Sequence, residues 1–499
     1  MNLKDLEDED KNLRIEAWRS ALKRLERGKI SPKSLKQELP YLYELLTSSF
    51  ETDRAEAWEI ASKLMEKGVG DADELRKRLK YLYLLVRRGE NFLLGDGVWS
   101  IVVRLMNAGV IEGEVRNRFL LVLESRKLRA RLEAWKQLKD FDFRDVLVKR
   151  RKYFLELLRA GDPWLRLKAW ETALDLLNKG IVSPKSIQRR LRFLYSFFKR
   201  GEDFTMSDVV KVILKLKDMG IVGELNDVML EALSRDEELP SLWKGVIELL
   251  DAGLVEQKVV KSRLRFLFLL FYSGDLYVKE GALEVSLSLL DRGIINRKQL
   301  RGKVRFLIMG LGSGDMFYRA FCWEVTPRLM RAGLVGEDTV RDKLNYLYEL
   351  LDHGGCYDNS MYLECPALKG WRVTVELFQL LDLEELRWYL DRYLWLLEKP
   401  NLLVTDQDLQ VLRTLVERGV MSVDHIVRLT ENRYFKVSLY AWSVAVSMAK
   451  EGKLEKEKIS ENLDYLRRLY RRATKEGRRP LEELIERLKE LGIRTLVEQ

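Results

Sequence analysis

LKAWETALDLLNKGIVSPKSIQRRLRFLYSFFKRG, residues 167–201, reads as two helices joined by a short turn. Apolar residues recur at helical spacing from Leu167 to Leu177, and Gly180 follows as a C-terminal helix stop. Ser183-Pro184 then opens a second helix, with serine as the cap and proline at the first helical position. The same entry, SPKS, stands at 31–34 and at 183–186.

The first half of this stretch returns along the chain. A tryptophan precedes a glycine by ten residues at Trp18/Gly28, Trp58/Gly68, Trp99/Gly109, Trp170/Gly180, Trp243/Gly253, Trp323/Gly333 and Trp442/Gly452. An aliphatic residue takes the tryptophan slot at Val210/Gly220, Leu283/Gly293 and Leu409/Gly419, and Trp135 and Trp371 fit the phase without the glycine. Successive glycines lie 40, 41, 71, 40, 33, 40, 40, 86 and 33 residues apart, so the unit is about 40 residues and there are about twelve. A second marker, glycine-acid-x-aromatic, separates units at Gly89–Phe92, Gly161–Trp164, Gly201–Phe204, Gly274–Tyr277 and Gly314–Phe317. Its glycine is expected to be a left-handed cap, its acid to bond the next helix start, and its aromatic to pin the turn on the core. Nothing alternates with a strand period. The expectation is an all-α fold: one elongated, curved α-solenoid over 1–499, with an insertion loop at 353–366 and a basic C-terminal segment at 467–479. The tryptophans are expected in the core.

The pattern resembles the HEAT and armadillo repeat families, and HEAT more closely because each unit has two helices. HEAT repeats typically carry a proline in the first helix and a basic residue early in the second. Here Pro327 falls well inside a first helix, and the early basic residue is present as Arg78, Arg150, Arg190, Arg263, Lys303 and Lys343. The resemblance implies a scaffold, an adaptor, or a transport or assembly factor.

Composition narrows the classes. The 499 residues hold three cysteines and two histidines, which argues against a disulfide framework and against histidine-rich metal or acid–base chemistry. The first residues, MNLKDLEDED, lack a signal-peptide pattern, and no apolar run is long enough for a bilayer, so a cytoplasmic protein is expected. Asn (13) and Gln (9) are scarce beside 166 charged residues, a balance that suggests a thermophile. No Walker-type loop, dinucleotide fingerprint, HExxH or GxSxG is present. The expectation is therefore a non-enzyme, with no catalytic residue, cofactor or metal.

The net charge of +10 favours anionic partners. In the second helices an aromatic recurs at Tyr41, Tyr81, Phe119, Tyr153, Phe193, Phe266, Phe306, Tyr346, Tyr393 and Tyr465. The residue just before it falls outside the apolar sector and is basic seven times in ten: Lys80, Arg118, Lys152, Arg192, Arg265, Arg305 and Arg392. In solenoids of this class second helices usually line the concave side, so a basic inner surface for a protein partner is expected. The alternative is RNA, DNA or a ribonucleoprotein; seven phosphate contacts would give a salt slope of roughly −5 to −6. The bland alternative is a solvated face whose long side chains cover neighbouring helices. The early basic column is expected to pair with acids of the next unit. Near the C-terminus Arg467, Arg468, Arg471, Arg472, Arg478 and Arg479 make a second candidate for phosphate contact. Cys356 and Cys365 flank the insertion and either remain thiols or close it with a disulfide.

Overall fold

The structure, a computed structural model, describes residues 3–88, 97–200, 206–234, 240–353, 365–398, 405–473 and 475–493. Its regular elements among these residues are all helices. Contacts divide the chain into two compact units, 1–267 and 268–499.

In the first unit the first helices are Lys11–Glu26, Glu51–Glu66, Gly97–Asn107, Leu128–Leu138, Pro163–Asn178, Met206–Asp218 and Pro240–Asp251, and each packs on the next. Second helices such as Pro32–Leu45, Ala72–Arg88 and Arg144–Leu157 alternate with them. In the second unit Met316–Arg331, Pro366–Leu377, Asp406–Glu417, Phe435–Lys450 and the final Lys475–Glu490 form the same kind of file. Leu276–Asp291 joins it through Arg328, which lies 3.6 Å from both Glu280 and Glu284. Hairpins stacked in file are the α-solenoid arrangement: each hairpin buries its apolar faces only against its neighbours.

The tryptophan and glycine columns hold. Trp18, Trp58, Trp99, Trp135, Trp170, Trp323, Trp371 and Trp442 are fully buried, and Trp243 nearly so. All ten glycines of the column have a left-handed backbone, with φ between 65° and 71°. At each, the glycine amide bonds the carbonyl three residues back and the following amide bonds the carbonyl five back, as in Gly180 N to Leu177 O and Ile181 N to Leu176 O, both 2.9 Å. This closes the last turn of each first helix that carries the glycine and aims the chain at the next helix. A Cβ at Gly253 would meet no atom within 4 Å. Gly253→Ala should therefore lose about 1–2 kcal/mol through the backbone alone, with Gly253→Asn milder, as read by denaturant unfolding; an alanine variant of unchanged stability would contradict this.

Ser31 and Ser183 cap their helices as expected, each accepting from the amide three residues on, with Pro32 and Pro184 at the start. The acid of the second marker also caps: Asp162, Asp275 and Asp315 accept from first-turn amides. The rest of that marker is corrected. Gly161, Gly274 and Gly314 are not left-handed. Two of the aromatics do not pin the core: Trp164 and Tyr277 are exposed, while Phe317 is half-buried. Trp164 precedes Trp170 by six residues, about 120° round the helix from the buried stripe. Residues 89–92 and 201–204 of the marker lie outside the described residues.

Candidate functional site

The column before the second-helix aromatic is on the surface. Lys80, Arg118, Lys152, Arg192 and Arg265 in the first unit, and Arg305 in the second, are exposed; Arg392 is half-buried. None of the seven is within ion-pair distance of a carboxylate among the described residues. Most lie against a ring instead: Lys80 over Tyr81, Arg118 over Tyr83, Lys152 over Tyr153, Arg192 over Phe193 and Arg265 over Phe266, at 4.4–5.0 Å. Arg392 lies 4.0 Å over Trp395. The ring face thus holds the charged head itself, which stays exposed and is not neutralised by a carboxylate among the described residues. One turn on, the same helix face carries exposed apolar residues. Leu84 follows Lys80 by four, and Met309, 72% exposed, follows Arg305 by four. Residues four apart on a helix are neighbours.

The early basic column behaves differently. Its contacts run back to the preceding hairpin or stay local, as in the pair of Arg78 with Glu74 one turn earlier, and do not run forward to acids of the next. Arg150 pairs with Glu124 at 2.8 Å, Arg263 donates to the Leu230 carbonyl, Arg78 covers the Tyr43 ring and Lys303 those of Phe268 and Tyr272. Arg190, in the turn after Pro184–Gln188, donates back to the Ser186 carbonyl, and Lys343 covers the Tyr346 ring three residues on. Arg78, Arg150 and Arg263 lean toward the N-terminal side, as helical side chains do.

A second arginine column escaped the sequence reading. Arg14, Arg54, Arg131, Arg166 and Arg319 are buried, each four residues before a column tryptophan. Each donates to the carbonyl six residues back: Asp8, Ser48, Ser125, Ala160 and Ser313. The indoles of Trp58, Trp135, Trp170 and Trp323 donate to the carbonyl twelve back: Leu46, Leu123, Leu158 and Leu311, at 3.2–3.3 Å. Arginine and tryptophan together satisfy carbonyls left open where the preceding second helix ends. Arg14, Arg131 and Arg319 also reach a glutamate of the following second helix, Glu44, Glu156 or Glu349, at 2.9–3.0 Å. The sequence signal was an Arg-x-x-[Ala/Cys]-Trp motif, present as RIEAW, RAEAW, RLEAW, RLKAW and RAFCW.

The C-terminal basic segment is split by the structure. Arg467 pairs with Asp464 at 2.7 Å and Arg479 with Glu483 at 3.4 Å. Arg468 stacks on Tyr465, Arg478 lies near Tyr470, and Arg471 and Arg472 are exposed without an ion pair among the described residues. Of the insertion, residues 354–364 lie outside the described residues, Cys356 among them, and Cys365 is buried where Pro366–Leu377 begins. A disulfide between the two stays a proposal. Unreduced, unfolded protein should expose one thiol if it forms and three if it does not. Burial pushes the third thiol, Cys322, up to about 12, so it should resist alkylation in the folded protein at neutral pH; rapid labelling there would contradict its placement.

No group of three or more metal-ligating side chains is assembled among the described residues. No helix there is long and apolar enough to cross a membrane. The chain matches no family model and no curated protein by sequence. Among solved structures it is similar to Kap95 in a Kap95:Nup1 complex, at 11% identity and a TM-score of 0.51, over 98% of this chain and 68% of that one. The karyopherin Kap121p, bound to the extreme C-terminus of the protein phosphatase Cdc14p, matches at 12% identity and a TM-score of 0.39, over 97% of this chain. The chain spans 53% of the length of that Kap121p chain. A homology model of the AP-3 complex matches at 15% identity and a TM-score of 0.38, over 96% of this chain and 94% of that one. With hairpins in file, a helix-stopping glycine closing most first helices and the likeness to Kap95, the chain has an α-solenoid fold, consistent with a HEAT-like repeat.

Proposed function

We propose that this protein is a non-enzymatic scaffold or adaptor in which 1–499 forms one array, and that it binds another protein through the basic face of its second helices. The observation that carries the reading is the column Lys80, Arg118, Lys152, Arg192 and Arg265, exposed and without carboxylate partners among the described residues, while the buried arginines each donate to a backbone carbonyl within the fold. An unneutralised row of cations seeks an external anion. The exposed Leu84 and Met309 beside Lys80 and Arg305 favour a protein over a nucleic acid. Methionine, aromatic residues and arginine are enriched at protein interfaces, whereas a phosphate backbone gains little from an exposed aliphatic chain. Kap95, which shares the fold, was solved in complex with Nup1; a protein partner for this chain is the corresponding reading.

The test is capture of partners from native lysate with and without nuclease, using the wild type and a Lys152→Glu/Arg192→Glu/Arg265→Glu variant. All three side chains are exposed, so the variant should unfold at the same denaturant concentration as the wild type. The expected result is a protein partner that survives nuclease and is lost on charge reversal. Material lost on nuclease treatment alone would replace this reading with RNA or DNA binding. A partner retained by the variant would remove the column from the interface.

A further inference from the structure

We propose that a cavity in the second unit, beside the helix Leu463–Arg472, is a binding site for a nucleoside monophosphate group, independently of the protein-binding reading. The cavity measures about 470 Å³, within the range of small-ligand sites. Three guanidinium groups line it: Arg468 and Arg472 from one face of that helix, and Arg433 from the turn before Phe435–Lys450. None of the three is within ion-pair distance of a carboxylate among the described residues. The one acid in the walls, Glu431, is exposed and makes no ion pair with them. The walls are thus net positive by two charges, matched to a phosphate monoester of charge near −2.

Two of the three guanidiniums are held in place. One Arg433 nitrogen donates to the Glu398 carbonyl at 3.1 Å, and its guanidinium lies 4.8 Å over the Tyr434 ring. Arg468 lies 4.0 Å over the Tyr465 ring. That stacked pair and the Phe435 ring give the cavity flat surfaces on which a nucleobase can lie, as bases do on aromatic and arginine planes. The sequence had marked Arg468 and Arg472 only as members of a basic run; the fold brings Arg433, thirty-five residues earlier than Arg468, into the same walls. The first turn of Phe435–Lys450, which carries no side-chain cap, borders the cavity and adds to its positive potential.

The nucleotide could be free or the 5′ end of an RNA strand, and the probes separate the two. Full-length protein is titrated calorimetrically with adenosine 5′-monophosphate, adenosine, inorganic phosphate, and an oligoribonucleotide with or without a 5′ phosphate. The expected result is saturable binding of the monophosphate, at least tenfold tighter than adenosine or inorganic phosphate. It should weaken at least tenfold in Arg468→Glu/Arg472→Glu. Tighter binding of the 5′-phosphorylated strand than of the monophosphate assigns the site to strand ends; the reverse order assigns it to free nucleotide. Arg472→Gln, at an exposed position, serves if the double variant does not fold. Binding that ignores the phosphate, ignores the base, or survives the arginine changes overturns the proposal. The charge-reversed column variant should bind the nucleotide like the wild type, so failure of either reading is seen separately.

Discussion

Trp170→Ala is expected to destabilise its part of the array by about 3–5 kcal/mol, the range for emptying an aromatic site in a packed core. Trp170 is fully buried, and its indole donates to the Leu158 carbonyl at 3.2 Å. Truncation therefore opens a cavity and also orphans a carbonyl at the end of a helix. Four residues earlier, Arg166 donates to the Ala160 carbonyl and lies 4.2 Å over the Phe197 ring, so the same junction loosens on two sides. In a nearest-neighbour array the loss stays local. Hydrogen exchange should accelerate first in 144–200, and only later in distant hairpins. Trp170→Phe keeps most of the volume and should cost about 1–3 kcal/mol, the range for a buried acceptor left unmade. A loss below 1 kcal/mol in the alanine variant, or exchange that rises uniformly, would remove the tryptophan column as the organiser of the core.

Asp408→Ala should be of similar size, about 3–5 kcal/mol, through a different mechanism. The carboxylate is wholly buried and accepts two bonds from Arg372, at 2.6 and 2.9 Å, across the contact of Pro366–Leu377 with Asp406–Glu417. It also accepts from the Thr405 amide and hydroxyl, at 2.8 and 2.7 Å, and so starts its own helix. The Asp408 carbonyl takes the hydroxyl of the buried Tyr393, whose ring packs 4.8 Å from Trp371. Removing the acid strips a guanidinium of its buried counter-charge. Replacing both partners, as Arg372→Leu/Asp408→Leu, should cost much less than the single change, because desolvation of the charges is relieved together with their attraction. The comparison is a double-mutant cycle read by denaturant unfolding. Single and double variants of equal stability would show the pair to be inert.

The repeat was legible because its signals are local. A glycine that stops a helix acts within one turn, and a tryptophan at fixed phase marks a buried stripe whatever its neighbours do. Gly253 and Trp323 could each be placed from a dozen flanking residues. The exposed basic column was also legible, since helical phase alone carries Arg192 away from Leu194 and Phe197. What the sequence concealed depends on contacts between hairpins. Arg166 looks like one more surface charge until the fold sets it between the Ala160 carbonyl and the Phe197 ring, and Asp408 looks like an ordinary first-turn acid. The exposure of Trp164 was misread for the converse reason: an aromatic near a turn suggests burial, but its angular distance from Trp170 points it to water. Arg433 joined the cavity near Arg468 only through folding.

The bonds from Arg54 and Trp58 back to Ser48 and Leu46 shift the true building block by half a period. Counted by sequence, a module is a first helix with the second helix after it. Counted by polar bonds, it is a second helix with the first helix that follows. A shortened or recombined version should therefore be cut in the glycine turn, for instance just past Gly180, and never in the gap around Gly161. The latter cut would leave the carbonyls of Leu158 and Ala160 with nothing but solvent to answer them.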